Sequence, residues 1–428
     1  MKQTQLYALN ESIRNLDYVL AEYYIELPKE TNVVEKASAM AIGQTIGTWV
    51  PVPGITDDMR ENHMGKVVNI IDLPPCDLFS QVQTDKVSYL IQLAYPVSNF
   101  GAQFPQMMTT LLGNDASTSA QVKLVDLQFP ECFVKEFKGP NFGIDGLRSV
   151  TGVKDRPLVL NMIKPCTGFT PNVGAEIFYK TALGGVDFIK DDELLGNPDF
   201  CPAVERVKAY QQASDAAYEE TGHRTIYVCN ITDRADRIID NAKRCIEAGA
   251  KAIMVSYAAV GYSMVRALAE SVNVPILGHY AGVGMYYEGT NSGFTSPLAT
   301  GRFPRLAGTD MIMMNTPYGG YPLKFQKYIQ TAHEMSLPYY HIKPSMPCVG
   351  GGVHPGMAER YMKDLGNDII LAPGGSVQGH PMGATAGARA MRQAIDAVMS
   401  GTGLTEAAQN HEELRVALER FGYDKKNS

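Results

Sequence analysis

The spacing of apolar positions differs between the first third of the chain and the remainder. In residues 1–135, runs that alternate as strands do are mixed with runs of helical spacing. The strand-like runs are 19–27, 66–73, 87–95 and 122–129, and the helix-like runs are 33–44 and 104–113. Strands and helices that follow one another without strict alternation are typical of an α+β sheet domain. The pattern therefore predicts such a domain over residues 1–135.

From residue 136 onward, short apolar runs alternate regularly with amphipathic helical stretches. The apolar runs are 158–164, 185–190, 226–232, 252–257, 274–279, 310–314, 347–352 and 368–375. Helical stretches such as 234–249 and 263–271 lie between them. Eight strands, each followed by a helix, is the count of a TIM barrel, and its usual length of about 250 residues agrees. We therefore predict an α/β protein in which a C-terminal TIM (β/α)8 barrel, residues 136–428, follows the α+β domain.

The composition is that of a globular protein without a strongly charged partner. The 428 residues are 45% hydrophobic and carry a formal net charge of −7. No long basic run is present, which argues against nucleic acid or an anionic membrane as the main partner. The seven cysteines include no CxxC pair, and no apolar stretch approaches the ~20 residues of a membrane span. We expect a cytoplasmic protein whose partner is a small molecule.

Catalytic groups of TIM barrels lie at the C-terminal ends of the strands, and in this sequence those ends are followed by residue types that are suited to catalysis or ligand binding. Polar, charged or glycine-rich residues follow most of the predicted strands. They are Lys164, KDDE at 190–193, Asn230, His279, GGG at 350–352 and GGS at 374–376. Because all these ends meet on one rim of a barrel, we expect them to form one site.

The KDDE cluster suggests a metal site with an unusual ligand. Side chains alternate along a strand, so Lys190 and Asp192 share a face, and Glu193 can turn the same way. Two carboxylates suit Mg²⁺, which prefers oxygen ligands, whereas an ammonium has no lone pair to offer a metal. The lysine becomes an oxygen ligand if CO₂ converts its amine to a carbamate. The alternative is a solvated surface turn whose charges neutralise one another.

The remaining rim residues have functional and structural interpretations. The glycines Gly351, Gly352, Gly374 and Gly375 follow the strands after which barrels commonly bind phosphate through backbone N–H groups. Lys164, at an apolar strand end, is expected to have a lowered pKa and to serve in acid–base chemistry. The alternatives are ordinary tight turns for the glycines, a surface lysine for Lys164 and a packed, hydrogen-bonded side chain for His279. His354 and His380, each before a proline, are interpreted as loop-shaping residues.

The sequence resembles the RuBisCO family along nearly its whole length. GGVDFIKDDE (184–193) is similar to the family signature, and further motifs follow in the family's order. They are GTW (47–49), GPNFGIDGLR (139–148), IKP (163–165), GGVHPGM (351–357) and GGSVQGHPMGATAGARAMRQA (374–394). The resemblance implies a ferredoxin-like α+β N-terminal domain, a TIM barrel, and a homodimer in which the partner's N-terminal domain completes each active site.

The resemblance also implies roles for individual residues. Lys190 matches the carbamylated lysine, and Asp192 and Glu193 match the carboxylates that bind Mg²⁺. Lys164 matches the lysine beside the enediolate, His279 an active-site histidine, and Asn114 an N-terminal-domain asparagine near the substrate. The match to a phosphate site comprises Thr48, Trp49, Gly352, Gly374 and Gly375, to which we add Gly351.

The departures from the family pattern argue against CO₂ fixation. No lysine occurs in the stretch 314–322, where RuBisCO has a mobile catalytic lysine, and Gly43 stands where RuBisCO has a glutamate. The arginine and histidine that hold the second phosphate of a bisphosphate in RuBisCO are here Tyr280 and Met313, and Gly350 stands in place of a serine. The chain therefore resembles a RuBisCO-like protein of form IV, and we expect a substrate that carries a single phosphate.

The resemblance leaves three functions open. Stretches such as AYEETGHRTIY (217–227) are similar to the methionine-salvage branch, the 2,3-diketo-5-methylthiopentyl-1-phosphate enolases. In that branch a lysine of the N-terminal domain is the base, but Gln121 falls at this position, with Lys123 nearby. If Gln121 is the counterpart, the base of an enolase would have to be the Lys190 carbamate or Lys164. This departure favours a decarboxylase of an oxo-sugar-acid phosphate, of the 3-oxo-isoapionate-4-phosphate type, in which loss of CO₂ generates the enediolate. The third possibility is a non-catalytic binding relative.

Overall fold

A computed structural model describes residues 2–47, 50, 52–82 and 84–423. Within these residues the chain divides into two compact units. The N-terminal unit comprises the residues up to 137 together with 283–299, and the barrel unit comprises 138–282 and the residues from 300 onward. No helix in the described ranges combines the length and apolar character that crossing a membrane requires.

The N-terminal unit contains a four-stranded antiparallel sheet in the order β2-β3-β1-β4. Its strands are β1 (Tyr18–Pro28), β2 (Lys66–Leu73), β3 (Lys86–Pro96) and β4 (Lys123–Gln128). Alternation of apolar and polar residues along β1 buries Val19, Ala21, Tyr23 and Ile25, all with 0% exposure. Each of the four strands predicted from the sequence is present to within a residue or two at either end.

The barrel unit contains a closed, parallel eight-stranded barrel in the order β10-β11-β12-β5-β6-β7-β8-β9. The strands are β5 (Leu158–Met162), β6 (Phe188–Lys190), β7 (Ile226–Asn230), β8 (Ala252–Ser256), β9 (Ile276–His279), β10 (Met311–Met314), β11 (Met346–Val349) and β12 (Ile370–Leu371). Alternate residues of these strands, among them Leu160, Phe188, Val228 and Met254, pack together as one buried cluster. The interior is therefore a packed core, and only its C-terminal end is available for chemistry.

Twenty α-helices accompany the strands in the described residues. The first six are α1 (Gln3–Leu6), α2 (Asn10–Ile13), α3 (Val33–Gly43), α4 (Asp57–His63), α5 (Phe104–Leu111) and α6 (Glu131–Val134). The others are α7 (Gly143–Thr151), α8 (Pro171–Ala182), α9 (Ala203–Thr221), α10 (Ile238–Glu247), α11 (Tyr257–Val260), α12 (Tyr262–Ser271), α13 (Gly284–Tyr287), α14 (Phe303–Ala307), α15 (Phe325–Ser336), α16 (Ala358–Leu365), α17 (Gly375–Gln378), α18 (Ala384–Met399), α19 (Leu404–Asn410) and α20 (Glu412–Phe421). The TIM-barrel prediction is confirmed.

The segment 283–299, which follows β9 in the sequence, is built into the N-terminal unit. The N–H of Leu124 in β4 donates to the carbonyl of Gly293 over 2.9 Å, and the N–H of Thr295 donates to Leu124 over 3.1 Å. The ammonium of Lys123 donates to the carbonyls of Tyr287 and Gly289. These contacts extend the sheet edge with a piece of chain that is distant in sequence.

The N-terminal end of the barrel is held by a buried ion pair. Asp187, which precedes β6, accepts two hydrogen bonds of 2.7 Å from the guanidinium of Arg156. Burial alone would raise the pKa of Asp187, but the hydrogen bonds from Arg156 and His223 outweigh it and lower the pKa to about 2. This end lies opposite the C-terminal ends of the barrel strands, so we assign the pair a role in stability.

Candidate active site

The KDDE cluster is buried at the barrel mouth rather than exposed to solvent. Strand β6 ends at Lys190, whose side chain is 0% exposed, and Asp191 and Asp192 are 0% and 2% exposed. Glu193 alone retains access, with a side chain that is 33% exposed. The solvated surface turn considered as an alternative is therefore excluded.

Asp191 points away from the other members of the cluster and anchors the turn. Its Oδ2 accepts hydrogen bonds from Tyr227 Oη (2.6 Å), from Arg206 Nη2 (3.1 Å) and from the N–H of Asn230 (2.9 Å). Arg206 is itself 0% exposed and also donates to Tyr227 Oη and to the carbonyls of Cys201 and Gly196. Sequence reasoning missed this network, which directs Lys190 and Asp192 to the opposite side, as strand alternation predicts.

The amine of Lys190 has neighbours that suit conversion to a carbamate. Its Nζ donates to the backbone carbonyl of Asp191 over 2.9 Å and lies 3.9 Å from Glu193 Oε2. Burial lowers the pKa of Lys190, against the opposing effect of Glu193 and Asp192. A lowered pKa raises the fraction of neutral amine, which is the form that attacks CO₂. A carbamate keeps one N–H, and the Asp191 carbonyl already accepts a hydrogen bond from this nitrogen.

Lys164 is paired directly with a carboxylate of the cluster. Its Nζ lies 2.5 Å from Asp192 Oδ2 and 3.1 Å from Cys166 Sγ. Burial alone would lower the pKa of Lys164, but the hydrogen bonds to Asp192 and Cys166 outweigh it and raise the pKa. The expectation of a lowered pKa is therefore wrong, because a partner on the neighbouring strand keeps this lysine an ammonium.

His279 closes the other side of the cluster as a neutral ring. Its Nδ1 accepts a hydrogen bond from the N–H of Ala281 over 3.1 Å, so the proton is assigned to Nε2, which lies 3.4 Å from Glu193 Oε2. Burial, with the nearby charges of Lys190 and Lys164, lowers the pKa of His279 well below its usual value. This ring is thus a hydrogen-bond donor beside a predicted metal ligand. His380, by contrast, bonds to the Glu413 carbonyl and the Met382 N–H, the loop-shaping role expected of it.

Three of the glycines after β11 and β12 occupy positions that disfavour larger residues. Gly351 and Gly352 have φ angles of +82° and +108°, which L side chains rarely adopt. A Cβ atom on Gly374 would lie 3.0 Å from Met162 Sδ and 4.0 Å from Lys164 Cε. Gly374, which follows β12, therefore lies next to Lys164.

Two further contacts hold these glycine turns in place. Asn161 of β5 donates from Nδ2 to the carbonyl of Pro373 over 2.7 Å, and its Oδ1 accepts from Gln378 over 2.7 Å. A Cβ atom on Gly319, in the turn after β10, would lie 1.8 Å from the carbonyl oxygen of Gly351. The turn after β10 is thus in close backbone contact with the turn after β11.

An apolar patch is formed by Met162 and by three residues at which the sequence departs from the RuBisCO pattern. A Cβ atom on Gly350 would lie 2.8 Å from Met313 Cε, 3.9 Å from Met162 Cε and 4.0 Å from Tyr280 Oη. The ring of Tyr280 stacks on His279 with centroids 5.0 Å apart. We call Met162, Tyr280, Met313 and Gly350 the apolar patch. Met313 is 1% exposed, so the accessible surface of the patch comes from Met162 and Tyr280, which are partly buried.

The donor set at the mouth fits Mg²⁺ only if Lys190 is modified. The described residues contain no group of three His, Cys, Asp or Glu side chains that could hold a metal ion. Asp192 and Glu193 supply two carboxylates, and a Lys190 carbamate would supply the third oxygen ligand. The Lys190 amine is buried near both carboxylates, and burial lowers its pKa, which favours that modification, so the residues fit the group.

The site residues predicted in the N-terminal unit are described only in part. Asn114 and Gly43 line a cavity of about 930 Å³ within this unit, together with Gln44 and Asp115. Thr48 and Trp49 lie outside the described residues. Gln121 has a left-handed conformation, with φ of +55°, and its side chain is exposed.

Both units match one protein family. Residues 143–421 match the catalytic domain of the ribulose bisphosphate carboxylase large chain, and residues 8–133 match its N-terminal domain. The chain belongs to the RuBisCO large-chain family. The resemblance inferred from the KDDE and glycine motifs is thereby confirmed, as is the fold that it implied.

Individual relatives include RuBisCO-like proteins. A ribulose bisphosphate carboxylase-like protein of Archaeoglobus fulgidus is 44% identical over 96% of this chain and 95% of its own length. A 2,3-diketo-5-methylthiopentyl-1-phosphate enolase of Bacillus pumilus is 35% identical over 94% of this chain and 98% of its own. A RuBisCO-like protein (MtnW) from Alicyclobacillus acidocaldarius, whose crystal structure has been solved, is 35% identical in sequence. Its structure matches this one with a TM-score of 0.88, covering 95% of this chain and 100% of that chain.

Proposed function

We propose that the protein is a Mg²⁺-dependent enzyme that forms an enediolate on a monophosphorylated substrate and does not fix CO₂. One observation carries the proposal: the buried Lys190 amine, two carboxylates and the Lys164 ammonium meet at the barrel mouth, where the Lys164 Nζ lies 2.5 Å from Asp192 Oδ2. A non-catalytic binding protein has no need to bury a lysine between carboxylates, because the desolvation of such a cluster destabilises the fold. Catalysis supplies a reason to retain it.

Each residue has a role that follows from its surroundings. Bound Mg²⁺, held by Asp192, Glu193 and the Lys190 carbamate, would stabilise negative charge on the substrate's oxygens. The Lys164 ammonium donates a hydrogen bond to the oxygen on which charge develops, and can protonate it. The N–H groups of Gly351, Gly352, Gly374 and Gly375 are proposed to hold the phosphate. Binding energy remote from the reacting carbon then orients the substrate.

The apolar patch favours the enolase reaction over the decarboxylase reaction. A second phosphate or a hydroxyl-rich sugar acid would lose hydration against Met162 without gaining hydrogen bonds from its side chain. The methylthio end of 2,3-diketo-5-methylthiopentyl-1-phosphate would instead contact the Met162 thioether and the Tyr280 ring, to which sulfur binds favourably. Enolases of that substrate are also among the relatives at 35% identity. We therefore propose enolisation of this diketone as the first candidate.

One observation favours the decarboxylase as the second candidate. In the N-terminal unit, Gln121 is not a base, and Lys123 is engaged with the carbonyls of Tyr287 and Gly289. A decarboxylation of 3-oxo-isoapionate 4-phosphate would form the enediolate by losing CO₂, without a base that removes a proton from carbon.

The two candidates are separated by a direct assay. The protein with Mg²⁺ and bicarbonate should convert the diketone to its enol, which is followed by ultraviolet absorbance. Release of CO₂ from 3-oxo-isoapionate 4-phosphate without enolisation of the diketone would support the decarboxylase. Turnover of neither would leave only the binding protein and would refute the proposal.

We further propose a homodimer whose active sites are shared between subunits, as the RuBisCO resemblance implies. Asn114→Ala and Lys190→Ala should each be inactive alone. Mixed dimers of the two would contain one intact site if the sites are shared, and random exchange would restore about a quarter of the wild-type activity. No recovery after verified subunit exchange would contradict sharing.

A further inference from the structure

The turn after β10, residues 315–324, supports the glycine turn after β11 through direct backbone contact. The N–H of Gly320 donates to the carbonyl of Gly351 over 3.3 Å. A Cβ atom on Gly352 would lie 3.3 Å from the Cα atom of Gly319. One on Gly319 would lie 1.8 Å from the carbonyl oxygen of Gly351. A displacement of the turn after β10 would therefore remove the support of the glycines that follow β11.

The base of the turn after β10 is fixed to a helix of the barrel unit. The N–H of Leu323 donates to the carbonyl of Thr316 over 3.2 Å, which closes the turn on itself. The N–H of Tyr318 donates to Thr316 Oγ1, also over 3.2 Å. Thr316 Oγ1 lies 3.3 Å from Tyr361 Oη in α16, and both residues are at most 1% exposed. The two ends of the turn are thus held at one buried threonine.

The side chain of Tyr318 fixes the part of the turn that approaches the glycines. Its hydroxyl donates to Asp364 Oδ2 in α16 over 2.7 Å. Its ring meets the rings of Tyr328 and Tyr361 edge to face, with centroids 6.3 and 5.7 Å away. Because Tyr318 directly precedes Gly319, these contacts determine where the backbone that touches the glycine turn lies.

The chemistry of the bond between Tyr318 and Asp364 makes it a strong anchor. Burial and the bond to Asp364 raise the pKa of Tyr318 to about 12, so the hydroxyl keeps its proton and remains a donor. Hydrogen bonds to a carboxylate are stronger than those between neutral groups. The guanidinium of Arg360 lies 5.6 Å from the centroid of the Tyr318 ring and adds a cation–π attraction.

We propose that Tyr318 is a positioning residue for the phosphate-binding glycine turn and that it acts through its hydrogen bond to Asp364. The inference rests on the function proposed above, in which the N–H groups of residues 351 and 352 hold the substrate's phosphate. With the bond intact, the turn after β10 stays docked on the carbonyl of Gly351, and the glycine turn keeps the conformation that binds the anion. Without it, the turn exchanges between docked and undocked states, and the apparent affinity for phosphate falls in proportion to the docked fraction.

The first test is isothermal titration of the full-length protein with inorganic phosphate. Tyr318→Phe should raise the Kd for phosphate at least about fivefold, because it removes a charge-assisted hydrogen bond and keeps the ring. Tyr321→Phe is the matched control, since it removes a hydroxyl from the same turn. Tyr321 is 74% exposed, and this variant should bind phosphate as wild type does. Circular dichroism of each variant establishes that the fold is retained.

Substitutions at Asp364 test whether the hydroxyl acts through this carboxylate. Asp364→Ala should raise the Kd for phosphate as much as Tyr318→Phe does, and the double variant should raise it no further, because both changes remove one bond. Asp364→Asn, whose amide oxygen can still accept the tyrosine proton, should recover part of the lost affinity. Losses that add in the double variant would contradict the proposed coupling.

Two further readouts separate positioning from a general effect on stability. In Tyr318→Phe, the amides of Gly320 and Leu323 should exchange hydrogen faster, whereas those of the barrel strands should exchange at the wild-type rate. With the diketone, Mg²⁺ and bicarbonate, KM should rise at least about fivefold, with kcat within about threefold of wild type. The carbamate ¹³C signal should be unchanged, because Lys190 is on a different strand from this turn.

The outcomes distinguish this inference from the proposed function. If wild type binds phosphate and Tyr318→Phe binds it within twofold of wild type, only this inference falls, as it does if Tyr321→Phe weakens binding equally. If Tyr318→Phe weakens phosphate binding as expected but wild type does not enolise the diketone, the proposed substrate falls and this inference stands. If wild type binds no phosphate, the phosphate role of the glycines and this inference fall together.

Discussion

The hydroxyl of Tyr227 should be a large contributor to the stability of the barrel. It donates to Asp191 Oδ2 over 2.6 Å and accepts from Arg206 Nε over 3.2 Å, and all three side chains are at most 5% exposed. Tyr227→Phe removes a hydrogen bond to a buried charge, worth about 1.5–3 kcal/mol, and leaves an Arg206 N–H without its acceptor. The two effects together predict a loss of about 2–4 kcal/mol, a large part of a typical stability of 5–15 kcal/mol.

A matched control lies in the same aromatic cluster. The ring of Tyr210 is 4.6 Å from that of Tyr227, and Tyr210 is 0% exposed. Its hydroxyl, however, has no hydrogen-bond partner in the described structure. Tyr210→Phe makes the same chemical change but removes an unsatisfied buried group, so stability should stay the same or rise by up to about 1 kcal/mol.

The assay is urea unfolding followed by far-ultraviolet circular dichroism. The chain's single tryptophan, Trp49, belongs to the N-terminal part of the sequence, so its fluorescence is a poor probe of the barrel. If the two Phe variants unfold with free energies within about 0.5 kcal/mol of each other, the network at Asp191 does not stabilise the barrel as argued. Such a result would also remove the reason given for the orientation of Lys190.

Three further predictions follow from other parts of the barrel unit. The ion pair holds the pKa of Asp187 near 2, although burial alone would raise this pKa. The stability that the Asp187 carboxylate contributes is therefore complete above about pH 4 and is lost as the pH falls towards 2. Asp187→Asn should flatten this part of the profile of urea midpoint against pH. Lys190→Ala should abolish turnover and the carbamate ¹³C signal seen with labelled bicarbonate, with an unchanged circular dichroism spectrum. Gly319→Ala should weaken the binding of inorganic phosphate at least about tenfold, as measured by isothermal titration, because its Cβ atom would lie 1.8 Å from the carbonyl oxygen of Gly351 in the turn after β11. The control is Gly320→Ala, whose Cβ atom would meet nothing within 4 Å and which should leave phosphate binding unchanged.

Local periodicity was sufficient to predict the fold. Each apolar run read from the sequence contains a strand, because alternation and burial act over a few neighbouring residues. The predicted ends of the strands were less accurate. Strand β12 comprises only Ile370–Leu371, whereas the apolar run in the sequence continues to Gly375. The glycine turn after a strand resembles a continuation of that strand in the sequence.

The parts of the site that were missed depend on contacts between distant residues. Lys164 was expected to have a lowered pKa, since nothing in its own motif shows that Asp192 lies 2.5 Å away. Arg206 carried a weak signal: in α9 it shares the buried stripe with Ala203 and Tyr210, which is unusual for an arginine. The close approach of Asp115 to Gly43, where a Cβ atom would lie 1.9 Å from Asp115 Oδ2, had no signal at all, because it joins two elements far apart in sequence.

The insertion of 283–299 into the N-terminal unit has a consequence for dissecting the protein. A fragment that stops at residue 137 would leave the Lys123 ammonium without its two carbonyl acceptors and the edge of β4 without its neighbour at Gly293. Proteolysis or recombination at a single point cannot yield two self-sufficient halves. A transplantable N-terminal module would have to carry that distant loop with it, for example through a circular permutation.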